Sequence, residues 1–382
     1  MSDETRRRYE VPDAELERDL ESLLVRFQER FGASEAPESV RQLMVTALRL
    51  VTDRAPRADV RLVANALKEL RHSFRVFKPY EHVRKVAIFG SARTKPGAAD
   101  WIAAERFAAA IAREGWMVIT GAGPGIMEAA QAGAGRDASF GVNIRLPFEQ
   151  QANPHIAGDP KLINFRYFFT RKLVFVKEAH AIALFPGGFG THDEGFEALT
   201  LIQTGRSEIV PVVFVDEPGG VYWREWERYV DSHLRERGLI DPDDRALFRV
   251  TEDVDEAVRE VIGFYRNYHS SRFVRDLLVL RLRSAPSDAE LAALNDEFGD
   301  LLLGGRIESC AALPEEEGED AALPRLALLF NRRRVGRLRR LIDRVNGWST
   351  QPASPRDASP RAITEGPLPP EVEGGAEEPK RA

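Results

Sequence analysis

The sequence predicts an α/β protein built on a doubly wound parallel sheet, because short apolar runs alternate with amphipathic stretches from residue 83 onward. The runs predicted as strands cover residues 86–89, 117–119, 140–144, 181–185 and 210–215. The stretches between them predict helices near residues 100–114, 125–136, 170–179, 192–203 and 222–235. Strands that are apolar along their whole length are typical of a sheet covered by helices on both faces. We therefore expect a Rossmann-like domain over residues 83–268, with ligands bound in the loops beyond the carboxyl ends of its strands.

Further segments precede and follow this domain in the sequence. Residues 1–80 predict a helical N-terminal extension, since apolar residues such as Leu20, Leu23, Leu24 and Phe27 recur at helical spacing. This extension is interpreted as a packed helical cap or a dimerisation arm. Residues 272–346 predict a small C-terminal α+β region with strands near 277–282 and 326–330. Residues 350–382 are rich in Pro, Ser, Gly and Glu and predict a disordered tail.

The C-terminal region contains an acidic loop at residues 315–320 and an arginine-rich helix that begins near Arg332. A run of arginines can bind phosphate or nucleic acid. A solvated helix face paired with the acidic loop is the interpretation that the alternating charge favours.

Composition excludes several classes of protein. The chain has 382 residues with 54 basic and 60 acidic side chains, a formal net charge of −6, and 43% hydrophobic residues, which indicates a globular rather than a disordered or fibrous chain. A mildly acidic chain also argues against nucleic acid as a partner. No apolar run approaches the roughly 18 residues of a membrane span, and the first 20 residues lack the apolar core of a signal peptide. Cys310 is the only cysteine, so an intrachain disulfide is excluded and a cytoplasmic location is expected.

Two glycine-containing loops follow predicted strands. The first, Gly90-Ser91-Ala92-Arg93, is not a G-x-G-x-x-G fingerprint, and no acidic residue ends the next strand, so NAD binding is not predicted. No P-loop sequence occurs in the chain. The second loop spans residues 120–128, where Gly121 and Gly123 allow a ligand close to the backbone. A plain tight turn between strand and helix is the alternative interpretation of either loop alone.

The third loop, at residues 185–194, reads Phe-Pro-Gly-Gly-Phe-Gly-Thr-His-Asp-Glu. Its glycines lead into a helix whose first amides lack intrahelical acceptors, and such a helix start is suited to binding one phosphate. Thr191 and Glu194 also fit a capping box, in which Glu194 only bonds back to the cap. A first-turn position favours the ionised form of Glu194, which suits stabilisation of positive charge rather than proton donation.

A basic pair, Arg171-Lys172, lies near the start of the predicted helix that precedes the third loop. Cations are disfavoured at the start of a helix, so this placement indicates either a functional role or a solvated helix start.

These motifs together resemble the LOG ("lonely guy") family, whose members are often labelled lysine decarboxylase-like. Residues 186–194 reproduce its P-G-G-x-G-T-x-x-E signature, and Arg171-Lys172 matches its Arg-Lys pair. The resemblance covers residues 83–268 and includes the segments GSAR, TGAGPGIMEAA and GVNIRLPFEQ. The additional N- and C-terminal segments make this chain similar to the larger bacterial members. His192 departs from the family pattern, which commonly has an apolar residue there.

The resemblance implies a hydrolase that splits nucleoside 5′-monophosphates into free base and ribose 5-phosphate, with AMP or a cytokinin-type N6-modified nucleotide as substrate. It implies that Arg171 and Glu194 are the catalytic residues. The residues that it implies for phosphate binding are Gly187, Gly188, Gly190 and Thr191, and those for the rest of the nucleotide pocket are Ser91, Gly123 and Gly125.

The resemblance further implies a homodimer or a higher assembly of identical chains, and we expect no cofactor, metal, nucleic acid or membrane partner. Lysine decarboxylation is disfavoured, because it normally needs pyridoxal phosphate on an activated lysine and nothing marks Lys172 as one. Three consecutive helical residues, 192–194, cannot converge on one metal ion. The rival hypotheses are a regulatory protein that binds nucleotides without catalysis, and a structural role in which Arg171 and Glu194 form only an ion pair and a cap.

Overall fold

The computed structural model describes residues 11, 13–145, 151–316, 318, 320–348 and 354–359. The chain divides into two compact units, Met1–Arg71 and His72–Ala382. The described part of the first unit contains α1 (Ala14–Phe31), α2 (Pro37–Thr52) and the start of α3 (Arg57–Phe77). Within the described ranges, no helix is both long enough and apolar enough to cross a membrane. The predicted division of the second unit near residues 268–272 stays a prediction.

A seven-stranded parallel sheet forms the centre of the second unit, in the order β4-β3-β2-β1-β5-β6-β7. Its strands are β1 (Lys85–Phe89), β2 (Met117–Thr120), β3 (Ser139–Ile144), β4 (Leu162–Phe165), β5 (Ala181–Leu184), β6 (Val212–Val215) and β7 (Phe248–Thr251). Its helices are α4 (Ala99–Arg113), α5 (Ile126–Ala134), α6 (Phe168–Glu178), α7 (Phe189–Gln203), α8 (Tyr222–Tyr229) and α9 (Val254–Gly263), and a π-helical segment, Val230–Arg235, continues α8. The strand order reverses at β1 and β5, which is the switch point where such sheets bind ligands. The predicted α/β fold class is confirmed.

The sequence missed the two edge strands, β4 and β7. Central strands such as β1 and β5 are buried at every residue, so they appear as continuous apolar runs. In β4 and β7, buried residues are interrupted by exposed or half-buried ones. An interrupted four-residue run does not stand out from a loop in the sequence.

The rest of the second unit forms a four-stranded antiparallel sheet in the order β10-β11-β9-β8. Its strands are β8 (Tyr268–Val274), β9 (Leu277–Leu282), β10 (Glu308–Cys310) and β11 (Arg325–Leu328), and α10 (Asp288–Phe298) and α11 (Val335–Asn346) complete the region. Arg281 on β9 and Arg325 on β11 are buried, and both donate hydrogen bonds to the buried carboxylate of Glu316. Two cations therefore share one anion inside this sheet.

The expected pairing of the arginine-rich helix with the acidic loop is wrong. Arg334 and Arg340 pair with Asp243, and Arg337 pairs with Asp300. Arg339 is buried between Glu260 and Asp343. The helix is thus neutralised by the neighbouring elements that it packs against. In the described part of the acidic loop, Glu316 instead pairs with the two strand arginines, while residues 317 and 319 lie outside the described residues.

Residues 354–359 fall within the segment predicted as a disordered tail, but they make specific contacts. The Pro355 carbonyl accepts a hydrogen bond from the Arg84 amide over 2.9 Å, Asp357 forms an ion pair with Arg283, and Ala358 is buried. These contacts join the segment to the start of β1 and to the second sheet. The other residues of the predicted tail, 350–353 and 360–382, lie outside the described residues.

Candidate active site

The first and third glycine loops lie side by side at the switch point. β1 and β5 are adjacent parallel strands, so the loops that follow them leave the same edge of the sheet. The Ser91 amide donates a hydrogen bond to the Pro186 carbonyl over 3.0 Å. A Cβ atom on Gly187 would lie 2.1 Å from Thr191 Oγ1 and 3.0 Å from the Ser91 nitrogen. Glycine at position 187 therefore lets the two loops pack directly together.

The second loop joins this surface through Ser91. The Ile126 amide donates to the Ser91 carbonyl over 3.0 Å. Gly125 has φ +72°, and a Cβ atom there would lie 2.2 Å from the Ser91 oxygen, so a side chain at this position is excluded by both strain and contact. The fold thus brings Gly187, which the resemblance assigns to phosphate binding, next to Ser91 and Gly125, which it assigns to the rest of the nucleotide pocket.

Asn153 holds the second loop, and the sequence did not single it out. Its buried amide group donates to the Gly123 carbonyl over 3.0 Å and to Gln131 Oε1 over 2.7 Å. Its backbone amide donates to the carbonyl of Ala122, a residue with φ +60°. The backbone conformation of the loop is therefore fixed by a residue outside it. A single asparagine in a loop has no pattern that could have revealed this role.

The third loop ends in an uncapped helix start. Gly188 is the N-cap of α7, and among the described residues no side chain caps the helix. The capping box expected between Thr191 and Glu194 is wrong, because α7 begins at Phe189 and these residues are the third and sixth of the helix. The amides of Phe189 and Gly190 have no intrahelical acceptor, since they belong to the first turn. They lie at the positive end of the helix dipole and can bind an anion.

Glu194 has a largely buried carboxyl group with a raised pKa. Its side chain is 13% exposed. Burial raises its pKa to about 7, although Lys172 and Arg171 act in the opposite direction. The expectation that Glu194 stays ionised is therefore wrong: the loss of hydration outweighs the helix dipole, which weakens beyond the first turn. A carboxyl group with this pKa can both donate and accept a proton at neutral pH.

Arg171 reaches the second loop from the start of α6. A Cβ atom on Gly121 would lie 3.1 Å from Arg171 Nη2, so the guanidinium packs against that loop. Burial lowers the pKa of Arg171, and the charge of Glu194 acts in the opposite direction. Arg171 Nε is buried and has no hydrogen-bond partner in the described part of the chain. A buried cation with an unused donor is suited to an anionic or hydroxyl-bearing ligand.

Lys172 has a different role from its neighbour. Its ammonium group lies 2.8 Å from Asp193 Oδ2 and 2.7 Å from Glu197 Oε2, which ties α6 to α7. Burial acts to lower the pKa of Lys172, but these hydrogen bonds raise it overall. The amine is therefore protonated at neutral pH and does not fit the activated lysine that pyridoxal phosphate requires.

Tyr222 and His192 support the third loop through hydrogen bonds. Tyr222 on α8 donates its hydroxyl hydrogen to the Gly187 carbonyl over 2.5 Å, and His192 Nε2 lies 2.6 Å from the same hydroxyl. Burial lowers the pKa of His192, so the ring is neutral near pH 7. The hydrogen bond is completed when Nε2 carries the ring proton and donates to Tyr222 Oη. His192 is the fourth residue of α7 and is partly buried.

Tyr222→Phe is expected to raise the KM for a phosphate-bearing substrate about fivefold with kcat little changed, because the Gly187 carbonyl loses a hydrogen bond worth about 1 kcal/mol. Steady-state kinetics on the best nucleotide measures this effect. Tyr229→Phe is the matched control, since Tyr229 is a half-exposed residue of the same helix that contacts His233. Equal KM values for the two variants would contradict the role given to Tyr222.

Comparison with known proteins finds a family match over part of the chain. Residues 125–261 match the model of a family described as "possible lysine decarboxylase". No curated protein matches the sequence.

Solved structures with some similarity include the molybdenum cofactor binding protein from Rippkaea orientalis, at 20% identity over 46% of this chain and 91% of that chain, with a TM-score of 0.32. They also include the molybdenum cofactor carrier protein from Chlamydomonas reinhardtii, at 18% identity over 46% and 94% of the two chains, with a TM-score of 0.31. The protein TM1055 is 23% identical over 46% and 96%, with a TM-score of 0.33. The match over residues 125–261 confirms the resemblance of this part of the chain to the lysine decarboxylase-like, or LOG, family.

Proposed function

We propose that this protein hydrolyses the N-glycosidic bond of nucleoside 5′-monophosphates and releases the free base and ribose 5-phosphate. The observation that carries the proposal is Glu194, a buried carboxyl group with a pKa of about 7, which lies on the helix that starts at the glycine loop. Pure phosphate binding does not need such a group. The family resemblance makes AMP or an N6-modified adenine nucleotide the expected substrate.

The 5′-phosphate is proposed to bind at the start of α7. Gly188 and Gly190 leave room for phosphate oxygens to approach the backbone, because a Cβ atom on either would meet no neighbouring atom within 4 Å. Gly187 is proposed to contribute its backbone to the same site. The buried Thr191 holds the base of the loop through its contact with Gly187. Binding the phosphate here orients the ribose by a part of the substrate that does not react.

Glu194 and Arg171 are proposed to act on the ribose and the attacking water. As the bond from C1′ to the base nitrogen breaks, positive charge develops on the ribose, and a nearby carboxylate stabilises it. A water oxygen then bonds to C1′, and the proton that it loses balances the proton that the departing base gains. Glu194 can accept that proton at neutral pH, whereas Arg171 donates hydrogen bonds without releasing a proton. Ser91, Gly123 and Gly125 are proposed to line the rest of the nucleotide pocket.

We further propose a homodimer or a higher assembly of identical chains, in the cytoplasm and without a cofactor. Three aromatic side chains next to the site are exposed, namely Phe168, Phe169 and Phe189, the last by 97%. Such side chains next to a polar site are typical of a surface that another subunit or a nucleobase covers.

The proposal is tested by incubating the protein with AMP, GMP, CMP, UMP and IMP and separating the products by chromatography. Release of free base from at least one nucleotide is expected. If every nucleotide is stable while equilibrium dialysis shows that AMP binds, the catalytic proposal is contradicted and the regulatory alternative takes its place.

A further inference from the structure

Two arginines share one carboxylate near the amino end of β1. Arg84 directly precedes β1 and its side chain is 1% exposed, whereas Arg283 directly follows β9 and is partly buried. Arg283 donates hydrogen bonds to both carboxylate oxygens of Asp357, to Oδ1 over 3.0 Å. Arg84 Nη2 lies 3.7 Å from the same Oδ1 atom. We call Arg84 and Arg283 the arginine pair.

Arg84 has buried donors that its surroundings do not satisfy. Its Nε and Nη2 atoms are buried and have no hydrogen-bond partner in the described part of the chain, because 3.7 Å is too long for a hydrogen bond. Its guanidinium lies 3.7 Å from the centre of the Tyr265 ring, a cation–π contact that leaves these donors unused. Burial lowers the pKa of Arg84, although the charge of Asp357 acts in the opposite direction. Unsatisfied buried donors are costly, so the site around Arg84 is incomplete.

A carboxylate cannot complete this site. It has two oxygens, and Arg283 binds both of them. It also brings one negative charge to the two positive charges of the arginine pair. A phosphate group has three or more oxygens in tetrahedral directions and carries about −1.5 to −2 charges at pH 7. Two of its oxygens can therefore bond to Arg283 while another reaches Arg84.

His269 on β8 adds a further donor. Its Nε2 atom lies 2.6 Å from the Asp357 carbonyl. A carbonyl only accepts hydrogen bonds, so Nε2 carries the ring proton. Burial and the charge of Arg84 lower the pKa of His269, so the ring is neutral near pH 7. It can donate to a phosphate oxygen without adding a charge.

Asp357 lies on a segment that is weakly attached. We call this segment, residues 354–359, the strap. It contains no helix or strand, and among its residues Ala358 is the buried one. An alanine buries little apolar surface. The strap is held instead by polar contacts, such as the hydrogen bond from the Arg84 amide to the Pro355 carbonyl, and an anion that binds the arginine pair competes directly with its ion pairs.

We propose that the arginine pair and His269 form a second anion site, which Asp357 fills within the chain and which a phosphate group fills by displacing the strap. A strap that only covered the sheet would not need a buried arginine, since apolar residues in its place cost less. The site is separate from the glycine loops, because Arg84 precedes β1 and Gly90 follows it, and a strand of five residues is about 16 Å long. It does not depend on the activity proposed above.

Displacement of the strap is tested by hydrogen–deuterium exchange of the full-length chain in increasing concentrations of inorganic phosphate. Sodium chloride at matched ionic strength is the control. Phosphate is expected to speed exchange of the Arg84 amide by about tenfold or more, because this amide loses its acceptor, the Pro355 carbonyl. Phosphate bound only at α7 would leave this exchange unchanged. An unchanged rate in phosphate, or an equal increase in chloride, would overturn the proposal.

The site itself is tested by calorimetric titration of variants with inorganic phosphate. Asp357→Asn is expected to bind phosphate at least about tenfold more tightly than wild type, because the competing carboxylate is gone. Combining it with Arg283→Gln is expected to abolish this gain. Glu315→Gln is the control, since it removes a surface carboxylate that pairs with Arg275, and it is expected to match wild type. Phosphate bound at α7 is common to all these proteins. Equal affinities for wild type and Asp357→Asn would overturn the proposal.

A phosphate group can be free or part of an ester, so glycerol 3-phosphate is the second probe. Whichever probe gains more affinity in Asp357→Asn identifies the form that the site prefers, and a gain for neither would overturn the proposal. Circular dichroism checks that the variants fold, and the exchange measurement on wild type decides the question if they do not. None of these measurements uses turnover, so failure of the proposed hydrolysis would not affect them.

Discussion

Glu194→Gln is expected to lower the rate of base release from the best nucleotide by about 10²–10⁴-fold, the usual contribution of a positioned acid or base. Glutamine keeps the size of the side chain but carries no charge and cannot exchange a proton. Wild-type kcat/KM is expected to change with pH around 7, because that is the pKa at which burial holds Glu194.

Glu197→Gln is the control for this variant. Glu197 lies almost one turn further along α7 and bonds to Lys172, so the substitution removes the same charge without touching the proposed reacting group. Its rate is expected to stay within about threefold of wild type. If both variants retain full activity, Glu194 is not catalytic.

Glu194→Gln is also expected to stabilise the protein in alkaline solution. The pKa of Glu194 is raised from its ordinary 4.5 to about 7 in the folded chain, so ionisation disfavours folding as the pH rises through 7. The raised pKa lowers the free energy of unfolding by about 3 kcal/mol at pH 8.5 and does not change it below pH 4.5. Urea unfolding at pH 4.5 and at pH 8.5 measures this effect. Glu194→Gln is expected to be more stable than wild type only at pH 8.5. A variant that is less stable at pH 8.5 would contradict the burial assigned to Glu194.

Glu316→Gln is expected to destabilise the chain by about 3–5 kcal/mol, the usual effect of removing one partner of a buried ion pair. Glu316 accepts hydrogen bonds from Arg281 over 2.7 and 2.8 Å and from Arg325 over 3.0 Å. The substitution leaves the buried Arg325 without its carboxylate partner and leaves Arg281 with Asp320 alone, at 3.2 Å. Urea unfolding at pH 7 measures the loss.

Glu315→Gln is the matched control, because Glu315 is an exposed neighbour that pairs with Arg275 on the surface, and such pairs contribute about 0–1 kcal/mol. Equal stability of the two variants would contradict the role of Glu316.

Acid is expected to weaken the ion pairs of Glu316 with Arg281 and Arg325 in the wild type. Burial alone would raise the pKa of Glu316, but hydrogen bonds from Arg325, the Leu313 amide and Arg281 lower it from 4.5 to about 2. The stability that this lowered pKa contributes is present above pH 4.5 and is lost as the pH falls through 2. The loss is expected to be about 3 kcal/mol, and Glu316→Gln should not show it.

The central strands could be predicted from the sequence, because burial at every position leaves continuous apolar runs. The edge strands β4 and β7 could not, since their buried residues are interrupted. The three glycine loops that meet at Ser91 each follow a predicted strand, and the carboxyl ends of parallel strands lie at one edge of the sheet. Contacts from distant parts of the chain could not be predicted: Tyr222 reaches Gly187 from 35 residues away, and no motif marks it.

The ionisation state of Glu194 was predicted wrongly for a related reason. Counting from Thr191 placed it in the first turn of a capped helix, where the dipole favours the charged form. The helix in fact begins at Phe189, and the surrounding elements exclude water from the carboxyl group. Burial is a property of tertiary packing, so the spacing of residues in one helix does not reveal it.

The most direct test of the account is to measure adenine and ribose 5-phosphate released from AMP, with adenosine as a parallel substrate. The account predicts equal amounts of the two products from AMP and at least a hundredfold less adenine from adenosine, because adenosine lacks the phosphate that α7 is proposed to hold. Equal turnover of AMP and adenosine would contradict the phosphate site, and release of adenosine with inorganic phosphate from AMP would contradict the proposed reaction.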